Sequence, residues 1–484
     1  MILSNSLAVL DMTAETGLLN AMMTGVVTGS IVALGATGLA LVYDIAEVPN
    51  FAHGDLLTLG AYLALLVNKP NTVPLFDVFA SEAQQVTPTG AAILFVLSAG
   101  GVLGSVYHLG GVPALKGSWW GISAPVTLAL AVHVGIAVLV GAIVVIAVPS
   151  FLAAVLFSFV MLGATVPLLE SRIFRPFRNK DIELAMMLVV SLAVAFVVRF
   201  SIQTLYGGEI RFYAVDTTLP FFGGQLDVTM AKFFDLFLTN GGIFISIQST
   251  RTGESGAVAV LSYGWFEVAL MSVLTTAAVI AAYRYRTTSA AVVGKRLAAI
   301  SAGLVTLVLS GALLSAGVGT PETSIIATRI SISPLRIGIV ILALTMMAAL
   351  HYILQATTLG KTMRATSDNR ELALVRGINT RRVMMSVWII AGLFAAIGGT
   401  MLGFLFNSIT INLGFNLLLP MFAGVILGGI SVYGAILGSY IIGLAMEVGI
   451  YAIPGLSATY RIPVAFVVLL GVLLLKPEGI VGGK

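Results

Sequence analysis

The chain has 484 residues, of which 58% are hydrophobic and only 10% charged, with a mean hydropathy of +1.05. A soluble domain carries about a quarter charged residues, so a chain this poor in them cannot cover itself in polar groups and must present apolar surface to lipid. Its 25 Lys and Arg against 21 Asp and Glu leave a net charge of +4, which gives no argument for a nucleic-acid partner, and the absence of cysteine excludes disulfides and thiolate metal or redox sites.

A helix that crosses the hydrocarbon needs about 20 apolar residues, and helices are expected because backbone groups in lipid must be paired within their own segment. The first 17 residues hold no Lys or Arg, only Asp11 and Glu15, so the apolar stretch 18–43 lacks the basic start of a cleaved signal and reads as a retained span. A short span over 52–67 follows. Between the two runs Asn50-Phe51-Ala52-His53-Gly54-Asp55, which sets three polar side chains at the membrane boundary. Asn50, His53 and Asp55 are candidates for a pore or gate. The plainer reading is a cap, with Asn50 or Asp55 accepting open N–H groups at the start of the next helix. Gly54 suits a turn or a close helix approach. With four His in the chain and no ligand pair on one helical face, no metal site is expected.

Further spans are predicted over 90–108, 124–147, 150–169 and 183–206, with 109–121 a connecting loop. Residues 207–261 are rich in Gly, Thr and Phe and have room for a small cap. Spans over 262–282, 297–317, 335–355, 383–406, 418–452 and 462–476 complete the chain. Gly428-Gly429 and Gly434 interrupt 418–452, which reads either as one span or as two short helices. The expected fold is an all-α, polytopic transmembrane helical bundle of 11 to 13 spans.

Positive charge orients the bundle. Loop 170–183 holds Arg172, Arg175, Arg178 and Lys180; loop 283–296 holds Arg284, Arg286, Lys295 and Arg296; loop 356–382 holds Lys361, Arg364, Arg370, Arg376, Arg381 and Arg382. These fourteen basic residues predict a cytoplasmic position for all three loops. Residues 207–261 carry Arg211, Lys232 and Arg251 against five acids and are expected outside. Within spans, Arg199 reads as a side chain snorkelling to the interface, while His133 lies mid-span and Glu267 near a span start. Glu447, on the Gly-rich helix, is the better pathway candidate. No chain of Asp, Glu and His suits a proton relay, which weighs against an ion-coupled carrier. No nucleophile–base pair or metal constellation marks an enzyme.

The loop after 335–355 is the most informative. Residues 361–376 are expected to form one short helix ended by Gly377 at the favoured glycine position, a rigid handle for a cytoplasmic partner; a solvated basic loop is the plainer reading. Gly360-Lys361-Thr362 imitates the end of a phosphate-binding loop, but the required first glycine is Gln355. No nucleotide site is expected in this chain.

Gly360, Arg364-Ala365, Asn369, Ala373 and Gly377-Ile378-Asn379 resemble the coupling loop of Liv-type permeases, the membrane subunits of branched-chain amino acid ABC importers. Asn50–Asp55, Glu170–Arg178, Gly428-Gly429 with Gly434, Gly438 and Glu447, and Lys476–Ile480 resemble other parts of the same family. Pro420 stands where a Lys is usual, and the turn 430–434 is one residue short. The resemblance implies a permease core over 18–67, 150–206 and 335–480, with 359–380 as the ATPase-coupling loop. Inserted helical pairs then fall at 68–149 and 262–317, around the external loop 207–261. It implies a multi-pass plasma-membrane subunit with no cofactor of its own, ATP being bound by two cytoplasmic ATPase partners. A second homologous permease and an extracytoplasmic solute-binding protein complete the expected assembly. Branched-chain amino acids are the implied solute, with urea, short amides, sugars or nucleosides as alternatives.

Overall fold

The computed structural model describes residues 2–48, 50–70, 86–110, 126–148, 150–180, 183–213, 218–221, 224–227, 232–248, 259–270, 273, 326–453, 455–475 and 479–480. Apolar runs long enough to span lipid become helices because each closes its hydrogen bonds internally. They are α1 (Ile2–Ala46), α2 (Ala52–Asn68), α3 (Pro88–Gly110), α4 (Val126–Ile146), α5 (Phe151–Arg178), α6 (Leu184–Tyr206), α7 (Pro334–Ala356), α8 (Thr358–Asp368), α9 (Arg370–Val375), α10 (Thr380–Phe406), α11 (Leu413–Leu427), α12 (Val432–Ala452) and α13 (Arg461–Leu475). Eight helices among the described residues are long and apolar enough to cross a membrane; Leu130–Ile146 and Leu413–Leu427 are shorter apolar helices. The chain is a multi-pass membrane protein.

It divides into two compact units, one of residues 1–23 and 226–337, the other of 24–225 and 338–484. The second holds the helical bundle. Its hub is α2, which packs against α5, α6, α10 and α11 and buries 15 of its 17 residues. A helix apolar all round belongs inside a bundle. By contrast α4, α6, α7 and α13 turn large apolar side chains outward, Leu139, Val197, Ile341 and Leu474 among them, as lipid-facing or partner-facing helices do.

The hub is tight because glycines let backbones touch. A Cβ on Gly54 would meet the Gly414 carbonyl oxygen at 2.7 Å, and Thr58 Oγ1 accepts the Gly414 N–H at 2.9 Å across the same crossing. The stretch 418–452 resolves into a hairpin: α11 ends at Gly428, Gly429 and Ile430 take positive φ, and Ser431 caps α12 by accepting the Gly434 N–H at 3.1 Å. α5 changes register near its end, where Glu170–Phe174 forms a π-turn soon after Pro167, an irregularity of the kind that kinks helices.

The first unit contains an unforeseen element, a four-stranded antiparallel sheet. Counting β1 (Arg211–Phe212), β2 (Thr218–Phe221), β3 (Gly224–Asp227), β4 (Lys232–Thr239), β5 (Gly242–Gln248), β6 (Ala259–Gly264), β7 (Ile326–Ile332) and β8 (Ser408–Ile409), its order is β6-β5-β4-β7. Thr239 pairs with Gly242, so Asn240-Gly241 is a two-residue hairpin turn of the sequence such turns favour. The span expected at 262–282 therefore begins as the end of β6. Most of that span, all of 297–317 and the basic loop 283–296 lie outside the described residues.

Candidate functional site

The elbow joining α7 to α10 is built by its own local chemistry. Thr357 caps α8, accepting the Gly360 N–H at 3.1 Å. Gly360 has no room for a side chain, since a Cβ would fall 2.2 Å from the Leu354 carbonyl oxygen. The Arg364 guanidinium turns back and donates to that same carbonyl. Ala365 sits partly exposed on α8, and its carbonyl accepts the Asn369 N–H at 3.2 Å. Met363 and Thr366 are buried, and Ser367 donates to the Asp44 carboxylate at 3.1 Å near the end of α1.

The single helix expected over 361–376 is two. The break lies at Asn369, whose backbone is extended and whose side chain caps α9 by accepting the Leu372 N–H at 2.8 Å; asparagine favours such a cap over a helix interior. α9 then ends as expected at Gly377. Its φ is +80°, and the Ile378 N–H bonds the Ala373 carbonyl while the Gly377 N–H bonds that of Leu374, both at 3.0 Å. That is the paired pattern of a glycine-terminated helix. Asn379 restarts the chain, accepting the Arg382 N–H at 3.1 Å. Burial, with Arg178 nearby, pushes the Arg370 guanidinium down from its ordinary value.

The residues picked from sequence are thus the ones that shape the elbow. Those it displays were missed: Leu372, Leu374 and Val375 are 54%, 53% and 84% exposed. Three outward apolar side chains on a six-residue helix, with Ala373 alone turned inward, were the available signal.

Asn50, His53 and Asp55 come together at the head of α2. The Phe51 N–H donates to Ser191 Oγ and Asp55 accepts from Arg199, so the motif lies beside residues 191–199 of α6, within that span. The capping reading fails, because the Asn50 amide finds no partner among the described residues and the Asp55 carboxylate oxygens are taken by Arg199. Asp55, fully buried, takes two bonds from Arg199, Nε at 2.8 Å and Nη2 at 3.0 Å. The guanidinium also lies over the Phe415 ring, 4.4 Å from its centroid. Arg199 therefore does not snorkel: a buried carboxylate draws it inward, the pairing that an intramembrane charge requires.

His53 Nε2 bonds the Gly35 carbonyl at 2.9 Å, which assigns the proton to Nε2 and leaves Nδ1 an acceptor. That Nδ1 and both polar atoms of the Asn50 amide are buried without a partner among the described residues. Unsatisfied polar atoms of this kind are rare in protein interiors. Glu447 is not brought to this cluster. It accepts from Thr28 at 3.1 Å and pairs with Arg461 at 3.2 Å, tying α12 to α1 and α13.

The high-affinity branched-chain amino acid transport system permease protein LivH of Escherichia coli (strain K12) is 33% identical over 153 residues, 31% of this chain and 49% of that protein. BraD of Pseudomonas aeruginosa, of the same description, is 30% identical over 152 residues, 31% and 48% of the two chains. The ribose import permease protein RbsC of Bacillus subtilis (strain 168) is 32% identical over 149 residues, 29% and 46%. The match spans about half the length of these curated relatives, and no solved structure matches the chain. The family model described as branched-chain amino acid transport system / permease component matches residues 21–475, and the chain belongs to that family.

Proposed function

We propose that this chain is the membrane-spanning subunit of an ATP-driven importer for branched-chain amino acids. It would work with a second, similar permease, two cytoplasmic ATPase subunits that bind the ATP, and an external solute-binding protein. One observation carries the reading: the elbow is pinned at both ends by caps and glycine geometry, yet presents Leu372, Leu374 and Val375 to the outside. An exposed apolar helix face on a rigid mount suits insertion into a groove of a partner, and rigidity lets the partner's motion reach α7 and α10. Asn50 and His53, with polar atoms unsatisfied beside the Asp55–Arg199 pair, are proposed to line the gate. We keep Glu447 as a further candidate on the path.

Gly377→Val tests the coupling. A β-branched residue at positive φ is strongly disfavoured, and strain of this type costs about 1–3 kcal/mol. The docking shape should become roughly ten- to a hundredfold less populated. Membrane insertion should persist while uptake per ATP hydrolysed collapses; wild-type coupling would overturn the assignment. A second reading, a sugar as solute, is favoured by the similarity to a ribose and a galactose permease. Uptake of leucine against ribose, each delivered by its external binding protein, separates the two.

A further inference from the structure

A cavity of about 400 Å³ opens where the end of α3, the basic end of α5 and the start of α10 meet. Its polar wall is Arg172, Arg381, Arg382, His108, Ser171 and Asn379. No carboxylate lines it among the described residues. The nearest acid in sequence, Glu170, is already taken by Arg175 and Arg178. Arg172, Arg381 and Arg382 make no ion pair among the described residues, and Arg382 Nε is buried without a hydrogen-bond partner. Three uncompensated guanidiniums around one cavity form a site for a multiply accepting anion, and the fork geometry of Arg suits phosphate oxygens. The N-terminus of α10 adds positive potential; the end of α3 subtracts about half a charge, far less than the three arginines supply.

The setting selects the anion. By its charge this is the cytoplasmic end of the bundle, where anionic headgroups lie. The rim is apolar and open, with Tyr107 52% and Leu168 42% exposed. Basic pockets between spans at that level bind phosphate-bearing headgroups. We propose that this cavity holds the phosphodiester of an anionic phospholipid, with the acyl chains running down the apolar faces of α3 and α5. Because Asn379 and Arg382 also belong to the elbow's return into α10, the bound lipid would brace the handle that the transport reading assigns to the ATPase.

The test uses the full chain in nanodiscs and native mass spectrometry of retained lipid, with phosphatidylglycerol and phosphatidylcholine offered together. Wild type should retain phosphatidylglycerol selectively. Replacing all three arginines by Gln should weaken retention about fivefold per arginine, on the order of a hundredfold in all. The triple Lys variant should keep most of it, and Arg376→Gln, an exposed arginine of the elbow outside the cavity, should change nothing. Equal retention by wild type and the triple Gln variant, or equal retention of the two lipids, would overturn the proposal. Inorganic phosphate that displaces the lipid and stabilises the protein equally well would overturn the lipid assignment in favour of a soluble phosphate ligand. None of these readouts involves uptake, so failure here leaves the transport reading standing.

Discussion

Asp55→Ala leaves Arg199 buried beside an apolar space. The pair is bidentate, with the carboxylate fully buried and the arginine side chain 12% exposed. Removing one partner of a buried pair costs about 3–5 kcal/mol, whereas replacing both by apolar groups is often neutral. The Phe415 ring lies under the guanidinium with or without Asp55, so its attraction leaves this difference unchanged. The expected result is a single variant destabilised by about 3 kcal/mol or more and a double variant, Asp55→Ala with Arg199→Met, restored by about half of that loss or better. Thermal unfolding in one detergent, followed at two protein concentrations, measures both. Additive losses, or an Asp55→Ala protein as stable as wild type, would refute the idea that the two charges exist for each other.

Gly54→Val drives a side chain into the Gly414 backbone; overpacking of this kind costs about 1–3 kcal/mol. Lower expression and a lower unfolding temperature should follow, while Gly54→Ala is milder. Asn369→Ala removes the cap of α9 at about 1 kcal/mol. That loss falls on the elbow, so it should lower transport coupling while the unfolding temperature of the bundle shifts little, and Asn369→Asp should retain both; equal coupling in the Ala variant would count against an ordered elbow.

The spans were legible because lipid imposes a single requirement, long apolar runs, and composition alone reports it. The break at Gly428-Gly429 was legible for the same kind of reason: two adjacent glycines and a capping serine leave the chain little else to do. Gly377 too was readable as a helix end. The β4–β5 hairpin was not, although Asn240-Gly241 marks its turn, because Phe233–Leu238 and Ile243–Ile247 are short apolar runs in a chain where such runs are ordinary. The split at Asn369 was masked by good helix formers on both sides. Asp55 and Arg199 stand 144 positions apart, and nothing in either neighbourhood says that α2 starts part-way along α6. Their pairing is a property of packing, which spacing along the chain does not carry.

The chain has no native cysteine, so Val375→Cys gives one thiol at the most exposed of the elbow's three outward apolar positions. In membranes carrying the ATPase subunits, a short bifunctional maleimide should link that thiol to an ATPase subunit, and an impermeant maleimide should label it only from the cytoplasmic side. Labelling from the outside, or no crosslink while ATP-driven uptake proceeds at the full rate, would contradict the account.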